Sequence, residues 1–423
     1  MKEIQFKQNG RFFYGWIVVI LGLLLMTFAY VGFVSLTSVF VLPVTEDLGF
    51  ERGDWMTYLV ILSLACVVCS PFLGKLMSKS SVKLWTAISC VLGFIGYFGF
   101  SRVDTLMGFY LFAIVLGIGF AGTAPMPVSI MINKWFGGKI RGTATGIAFL
   151  GSGLGGMILS PVLNAVIASH GWRTGYLALG VVFIILMVLV LLLANDKPES
   201  KGFTRMGEDE AEKAENNVVK RGKNLQEAMK TPEFYFAVVS TILVVLASSA
   251  ILANSVAYFV GCGIGEAKAA SLHGLMLGSL IIGKPLMGAI TDRCGVKASS
   301  VFITVIFAAT FAALFIMPSA AGTLVFLVII CYGLGAPTIT VIPPLMVNGL
   351  FGDKDYGTRV GVMNMATSIG GAFGGTVAAK VYDMTGSYSS FWVVACIAVL
   401  CAALCRFIAF KLCDSKARKN ESI

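Results

Sequence analysis

Acidic charge is missing from every long apolar stretch of this chain, and histidine is almost missing altogether. The sequence carries 22 aspartates and glutamates and only two histidines. The apolar stretches therefore hold no material for a paired-carboxylate or imidazole centre, whether acid–base or metal-binding. Charge of either sign is scarce, at 13% of residues, against 57% that are hydrophobic and a mean hydropathy of +0.86. A soluble domain of 423 residues could not hide so much apolar surface. The ten cysteines are scattered. Cys66 and Cys69 form a C-x-x-C one helical turn apart, but no second pair or histidine stands near, so packing is the expected use. Cys262 has no partner in a neighbouring loop, and the thiols are expected to be reduced. No nucleophile–base pair, metal cluster or cofactor motif is evident. The expectation is therefore not an enzyme, with no cofactor and no metal.

What is present is apolar length. Windows of about 20 residues, enough to cross a hydrocarbon core of about 30 Å, occur twelve times. They run Tyr14–Val41, Trp55–Met77, Leu84–Ser101, Leu106–Ile132, Gly142–Ala168, Thr174–Ala194, Phe234–Val260, Ala270–Thr291, Ala298–Met317, Thr323–Val347, Val360–Val381 and Ser389–Phe410. The two-residue alternation of a membrane β-barrel is absent, so the spans are expected to be helices of an all-α membrane protein. The first window lacks a small-residue cleavage site and is expected to be retained. Of the 32 basic residues, Arg52, Arg102, Arg173, Lys268 and Lys380 fall on one side, Lys284 lies within a span, and 26 fall on the side of both termini. The positive-inside rule makes that side cytoplasmic, in a plasma membrane such as a bacterial inner membrane. The net charge of +10 is thus a topology signal. Its dispersal over separate short loops argues against a nucleic-acid partner.

The chain is written twice. Asn133-Lys-Trp-Phe-Gly-Gly-Lys-Ile-Arg-Gly-Thr-Ala-Thr-Gly146 matches Asn348-Gly-Leu-Phe-Gly-Asp-Lys-Asp-Tyr-Gly-Thr-Arg-Val-Gly361 at seven positions, offset by 215. Gly74–Lys83 echoes Gly288–Lys297 at an offset of 214. The expected organisation is an N-terminal six-helix bundle over 1–194, a linker over 195–232 and a C-terminal bundle over 233–423. The linker segment Asn195–Thr231 carries eight acidic and eight basic residues and reads as a charged cytoplasmic tether. It ends in Asn224-Leu-Gln-Glu227, a capping-box pattern ahead of Pro232. Gly142, Gly146, Gly151, Gly153, Gly155 and Gly156 in span 5 are echoed by Gly357, Gly361, Gly370, Gly371, Gly374 and Gly375 in span 11. That spacing of small residues suits close helix packing between the halves, and a dinucleotide site is rejected because no strand precedes the glycines.

Twelve spans in two parallel repeats, with Gly288-x-x-x-Asp292-Arg293-x-Gly295 between spans 8 and 9, resemble the major facilitator superfamily over nearly the whole chain. Phe13-Tyr-Gly-Trp16, Trp135-Phe-Gly-Gly-Lys-Ile-Arg-Gly-Thr-Ala-Thr-Gly146, Gly171-Trp-Arg173, Leu225–Phe234 and Tyr382–Tyr388 resemble its bacterial branch of monocarboxylate transporters and oxalate/formate antiporters. The resemblance implies secondary transport of a small organic anion by alternating access. It also implies an anion-binding charge at Lys284, where the family pattern Arg-Pro-x-x-Gly reads Lys284-Pro285-x-x-Gly288. The aspartate that monocarboxylate transporters carry one turn earlier is Leu280 here, and the second basic residue of oxalate/formate antiporters is missing from Asn364–Gly371. One carboxylate with an apolar or polar tail is therefore favoured over a dicarboxylate. The hairpin motif implies a conformational gate at Gly288, Asp292, Arg293, Gly295 and Lys297. In the first repeat, Ser78 and Ser81 replace its aspartate and second glycine.

Lys284 reads as the one charge set deep in a span, and by default such a charge marks a ligand or ion path. The competing reading is a lysine snorkelling toward Asp292, about 12 Å along the helix. His273, eleven residues earlier, falls on nearly the same face and could relay a proton. Tyr30, Thr123, Asn254, Tyr332, Asn364 and Ser368 complete the expected substrate-binding set, with Thr27 and Thr338 as further polar positions. Each has the alternative of bonding a neighbouring helix instead. The expected partners are a small carboxylate, the bilayer, and a proton or counter-anion, with the chain acting as a monomer. The rival function is efflux of amphipathic or cationic compounds on the same fold, which would want a membrane acid that the sequence does not supply.

Overall fold

The computed structural model describes residues 7–8, 11–207, 222–319 and 321–421, and these are overwhelmingly helical. Among them ten helices are long and apolar enough to cross a membrane. Spans 1 to 7 are Gly15–Val34, Arg52–Lys79, Val82–Phe100, Leu106–Trp135, Arg141–His170, Trp172–Leu193 and Pro232–Gly261; span 10 is Gly322–Thr340 and span 12 is Ser389–Ser415. The remaining helix, Lys268–Ile316, runs for 49 residues but turns back at Gly295, whose φ of 80° falls to glycine because it has no Cβ. It therefore makes spans 8 and 9. Tyr356–Thr385, rich in glycine and threonine, is span 11. Twelve spanning helices result, as the sequence windows require. Beyond them, Lys7–Gln8 pairs with Arg11–Phe12 in a small antiparallel ribbon.

The outer surface explains the composition. On span 2, Val60, Leu64, Val68 and Phe72 recur every four residues, and all four are exposed. A stripe of that kind faces lipid rather than water. One end of the bundle gathers both termini and the linker: Gln8 donates to Thr204 at 2.8 Å, and Lys297 pairs with Asp414 at 2.5 Å. We call this end the linker face. Span 1 extends less far than its apolar window, ending at Val34, because the chain breaks at Ser35 and Leu36 before a separate helix, Thr37–Leu48. The predicted capping box at Asn224 and Glu227 is formed, and Pro232 opens span 7.

The two halves meet through the repeated glycines. A Cβ placed on Gly142 of span 5 would lie 2.5 Å from the Gly288 carbonyl oxygen of span 8, and one on Gly146 would strike the Lys284 carbonyl. Spans 11 and 2 repeat this: Gly361 abuts the Ser70 carbonyl at 2.5 Å, and Gly357 faces Gly74. The seam loosens away from the linker face, where a Cβ on Gly156 finds its nearest neighbour only at 3.8 Å. Backbone apposition this tight closes the linker face.

Candidate functional site

Lys284 lies eleven residues before Gly295, where the 8–9 hairpin turns, about 16 Å along the helix, or roughly half the ~30 Å of a hydrocarbon core. Its side chain is only 3% exposed. It does not snorkel. The ammonium crosses the seam and donates to the Phe149 carbonyl at 3.1 Å and to Ser152 Oγ at 2.5 Å, both on span 5. Asp292, the acid it could have sought, is engaged elsewhere. The result is a buried positive charge at the junction of the halves whose partners are both neutral.

The pseudo-symmetric position holds a second polar cluster. Ser70 of span 2 stands where Lys284 stands in the other repeat, and Asn364 of span 11 stands where Phe149 does. Asn364 Nδ2 donates to Ser70 Oγ at 2.9 Å, and Ser368 Oγ donates to Cys66 Sγ at 3.3 Å. Cys66 is thus more than packing: its thiol bridges spans 2 and 11. Tyr332, buried in span 10, lies close to Ser248 of span 7 and to Tyr30 of the opposite half. Tyr30 ends a π-helical stretch, Leu25–Tyr30, a distortion that recurs at functional positions. Lys284, Asn364, Ser368, Tyr30 and Tyr332 are therefore brought to the region between the halves.

The other expected residues find their hydrogen-bond partners within their own half. Thr123 donates to the Gly119 carbonyl at 2.7 Å, and Thr27 to that of Leu23 at 2.8 Å. Asn254 donates to the carbonyls of Ala250 and Gly375 and accepts from Tyr388, tying spans 7, 11 and 12 together. His273 is half-buried and shares a 2.6 Å hydrogen bond with Ser255, about 16 Å along the helix from Lys284. For Asn254 and His273 the helix-to-helix alternative fits the geometry, while the Thr123 and Thr27 hydroxyls bond back within their own helices.

The linker face carries a polar clamp. Asp292 Oδ1 accepts from the Gly142 amide, and Oδ2 accepts from the amide and hydroxyl of Thr143, each at 2.6 Å. One carboxylate thus caps the start of span 5 from the opposite half, where the helix dipole is positive. The hydroxyl of Ser78, the first-repeat counterpart of Asp292, finds no hydrogen-bond partner. Arg293 is exposed, and Gly295 makes the turn.

A second junction centres on Asp353. Asn133 Nδ2 donates to it at 3.0 Å, Asn348 also donates to it, and Arg205 of the linker reaches it at 2.8 Å while holding the Asn133 carbonyl at 2.9 Å. Arg141 bonds Asn348 from the other half. Burial pushes the Asp353 carboxyl up. The charges of Arg205 and Arg141, with hydrogen bonds from Asn133 and Arg205, outweigh this and hold it below its ordinary 3.8. The linker also bonds both repeated loops, at Met206 with Trp135 and Gly137, and at Lys223 with Phe351. The sequence expectation for this segment is a charged tether that also fixes orientation, and Arg205, one charge among sixteen, carries no signal there.

Lys284 is not the only deeply buried charge, and that expectation is corrected. Arg406 of span 12 is 0% exposed. It donates to Thr304 Oγ1 at 2.6 Å, to the Thr338 hydroxyl and carbonyl, and to Ser240 at 3.4 Å. Its position four residues from the end of an apolar window made it look interfacial. Three hydroxyls on spans 7, 9 and 10 make burial tolerable, since each guanidinium N–H so engaged keeps an acceptor. Arg406 pins the broken region of span 10, between Gly335 and Thr340, to its neighbours.

The architecture, the seam and the doubled loops can be set beside known proteins. The model of the Major Facilitator Superfamily matches residues 23–283 and 238–422. The chain belongs to the major facilitator superfamily. Its members are membrane transporters rather than enzymes. The chain is 30% identical over 372 residues to an uncharacterized 38 kDa protein of Thermoproteus tenax, covering 85% of this chain and 84% of that one. It is 22% identical to the oxalate:formate antiporter of Oxalobacter formigenes, covering 93% and 91%. To monocarboxylate transporter 4 of Gallus gallus it is 23% identical, covering 95% and 84%. Among solved structures, the human organic anion transporter MFSD10 superposes with a TM-score of 0.70 at 14% identity over 93% of this chain and 99% of that one. The superfamily transporter FucP in its outward conformation gives 0.64 at 13% identity, over 95% and 97%. At such identities these two show the fold.

Proposed function

We propose that this superfamily transporter carries small organic anions, monocarboxylates foremost, by alternating access, with the substrate carboxylate paired to Lys284. The observation that carries the proposal is a buried ammonium near the midplane whose partners are both neutral. Removing a charge from water is costly, and a carboxylate returns the lost interaction far better than a hydroxyl does. The neutral cluster of Ser70, Cys66, Asn364 and Ser368 offers hydrogen bonds, but no second charge, to the rest of the substrate. Relatives named for oxalate, formate and monocarboxylates agree with this class. The excess of lysine and arginine places the linker face in the cytoplasm, so the closed seam is the cytoplasmic gate and the two termini are cytoplasmic. Gly288, Asp292, Gly295 and the Asp353 junction form that gate, with Arg293 and Lys297 at its edge.

The test is uptake by proteoliposomes of labelled formate, acetate and oxalate, with a cationic dye as comparison. Saturable uptake of a monocarboxylate, stronger than that of oxalate, is expected. Extrusion of the dye with no carboxylate uptake would replace the proposal with compound efflux. Uptake that falls as external pH rises assigns proton symport; flat uptake assigns exchange or facilitated diffusion.

A further inference from the structure

Span 5 is interrupted at the level of Lys284. Its first helix, Arg141–Phe149, ends and a second, Gly151–His170, begins. In an unbroken helix the Phe149 carbonyl would accept from the Gly153 amide. Here the Gly153 amide turns to the Leu150 carbonyl at 2.9 Å, and the Phe149 carbonyl accepts instead from Ser152 Oγ at 3.1 Å and Lys284 Nζ at 3.1 Å. The break exposes the negative end of a nine-residue helix toward a cation. It also sets a hydroxyl beside it, so that two acceptors converge on one ammonium.

We infer that Ser152 and the Phe149 carbonyl are stand-in ligands for the substrate's carboxylate. They hold the Lys284 ammonium against span 5 when the site is empty and give it up to carboxylate oxygens on binding. The exchange has a mechanical consequence. The bonds that hold the ammonium in the empty state run from span 8 to span 5, from one half to the other. Replacing them with bonds to a small mobile anion unpins the halves, so occupancy itself favours reorientation. Ser152 is in this account a positioning residue that competes with substrate. The inference rests on Lys284 being the anion-binding charge.

The experiment measures equilibrium binding and initial uptake of labelled acetate and formate by wild type, Ser152→Ala, Ser152→Thr and Lys284→Ala. Removing the hydroxyl takes a charge-assisted bond from the empty state only, so Ser152→Ala should lower Kd about tenfold. Its maximal uptake rate should not rise in proportion, and Ser152→Thr should return Kd toward wild type. A purely structural serine would not tighten binding. An unchanged or raised Kd in Ser152→Ala, or failure of threonine to restore it, overturns the inference. If Lys284→Ala loses binding while Ser152→Ala binds as wild type does, only this inference falls. If wild type binds neither anion, or Lys284→Ala binds normally, the carboxylate proposal falls and takes the inference with it.

Discussion

Replacing Asp292 with asparagine should open the linker face. The carboxylate accepts three hydrogen bonds of 2.6 Å from Gly142 and Thr143, all from the other half of the molecule. Bonds to a charged acceptor contribute about 1.5–3 kcal/mol each and neutral ones about 0.5–1.5. The favourable placement of a negative charge at a helix start adds about 0.3–1 kcal/mol. Asparagine keeps one oxygen but turns an NH2 group toward a backbone N–H, which accepts nothing. Neutralising one oxygen and losing the other, with partial solvent compensation, removes about 2–4 kcal/mol from the closed state. Since about 1.4 kcal/mol is tenfold, the closed-to-open ratio should fall by about 30-fold or more. Spin labels at Lys79 and Lys411, both exposed on the linker face and in different halves, would report this by pulsed electron paramagnetic resonance in a background lacking the exposed thiols of Cys294 and Cys401. A longer-distance population should grow in Asp292→Asn and Asp292→Ala. An unchanged distance distribution in both would refute the claim that this carboxylate holds the gate.

The glycine seam makes a parallel prediction: Gly288→Ala and Gly74→Ala each place a methyl against backbone of the opposite half, so each should raise the open population without lowering the amount of folded protein in a detergent melt. The Asp353 junction carries a pH signature. Because its carboxyl sits below 3.8 in the closed state, its contribution is fully present above that value and is lost as pH falls through the lowered one. The Asp353 contribution to closure, read as the difference between wild type and Asp353→Asn with the same labels, should therefore hold from neutral pH down to about 4; Arg205, Arg141, Arg359 and Tyr356 are charged and titratable groups around it. Arg406→Met should cost about 1–3 kcal/mol of stability by removing the guanidinium bonds to three hydroxyls and to the Thr338 carbonyl, seen as a lower Tm. Because Arg406 lies off the seam, the variant should leave Kd for acetate unchanged.

Much of this was legible before any coordinates. Length and hydropathy fix twelve spans, and the repeated Asn-x-x-Phe-Gly and glycine positions anticipate a seam with two related crossings. Even the capping box ahead of span 7 can be read directly. The direction of side chains could not be read. Asn254 and Asn364 are equally polar and both lie inside apolar windows, yet one ties three helices of the same half and the other spans the seam, because rotation about the helix axis is set by packing on every side. Arg406 was hidden by an apolar window whose edge is defined by composition, while its depth is defined by three hydroxyls on other spans. The break at Leu150 had a signal in its flanking glycines, but glycine-rich packing gives the same pattern.

The most direct measurement is acetate binding to purified Lys284→Ala and Lys284→Arg beside wild type. Loss of binding in alanine with retention in arginine, which restores the charge and adds a second donor, is the predicted result. Wild-type affinity in Lys284→Ala would contradict the central claim, because the anion would then be held without the one charge at the centre of the seam.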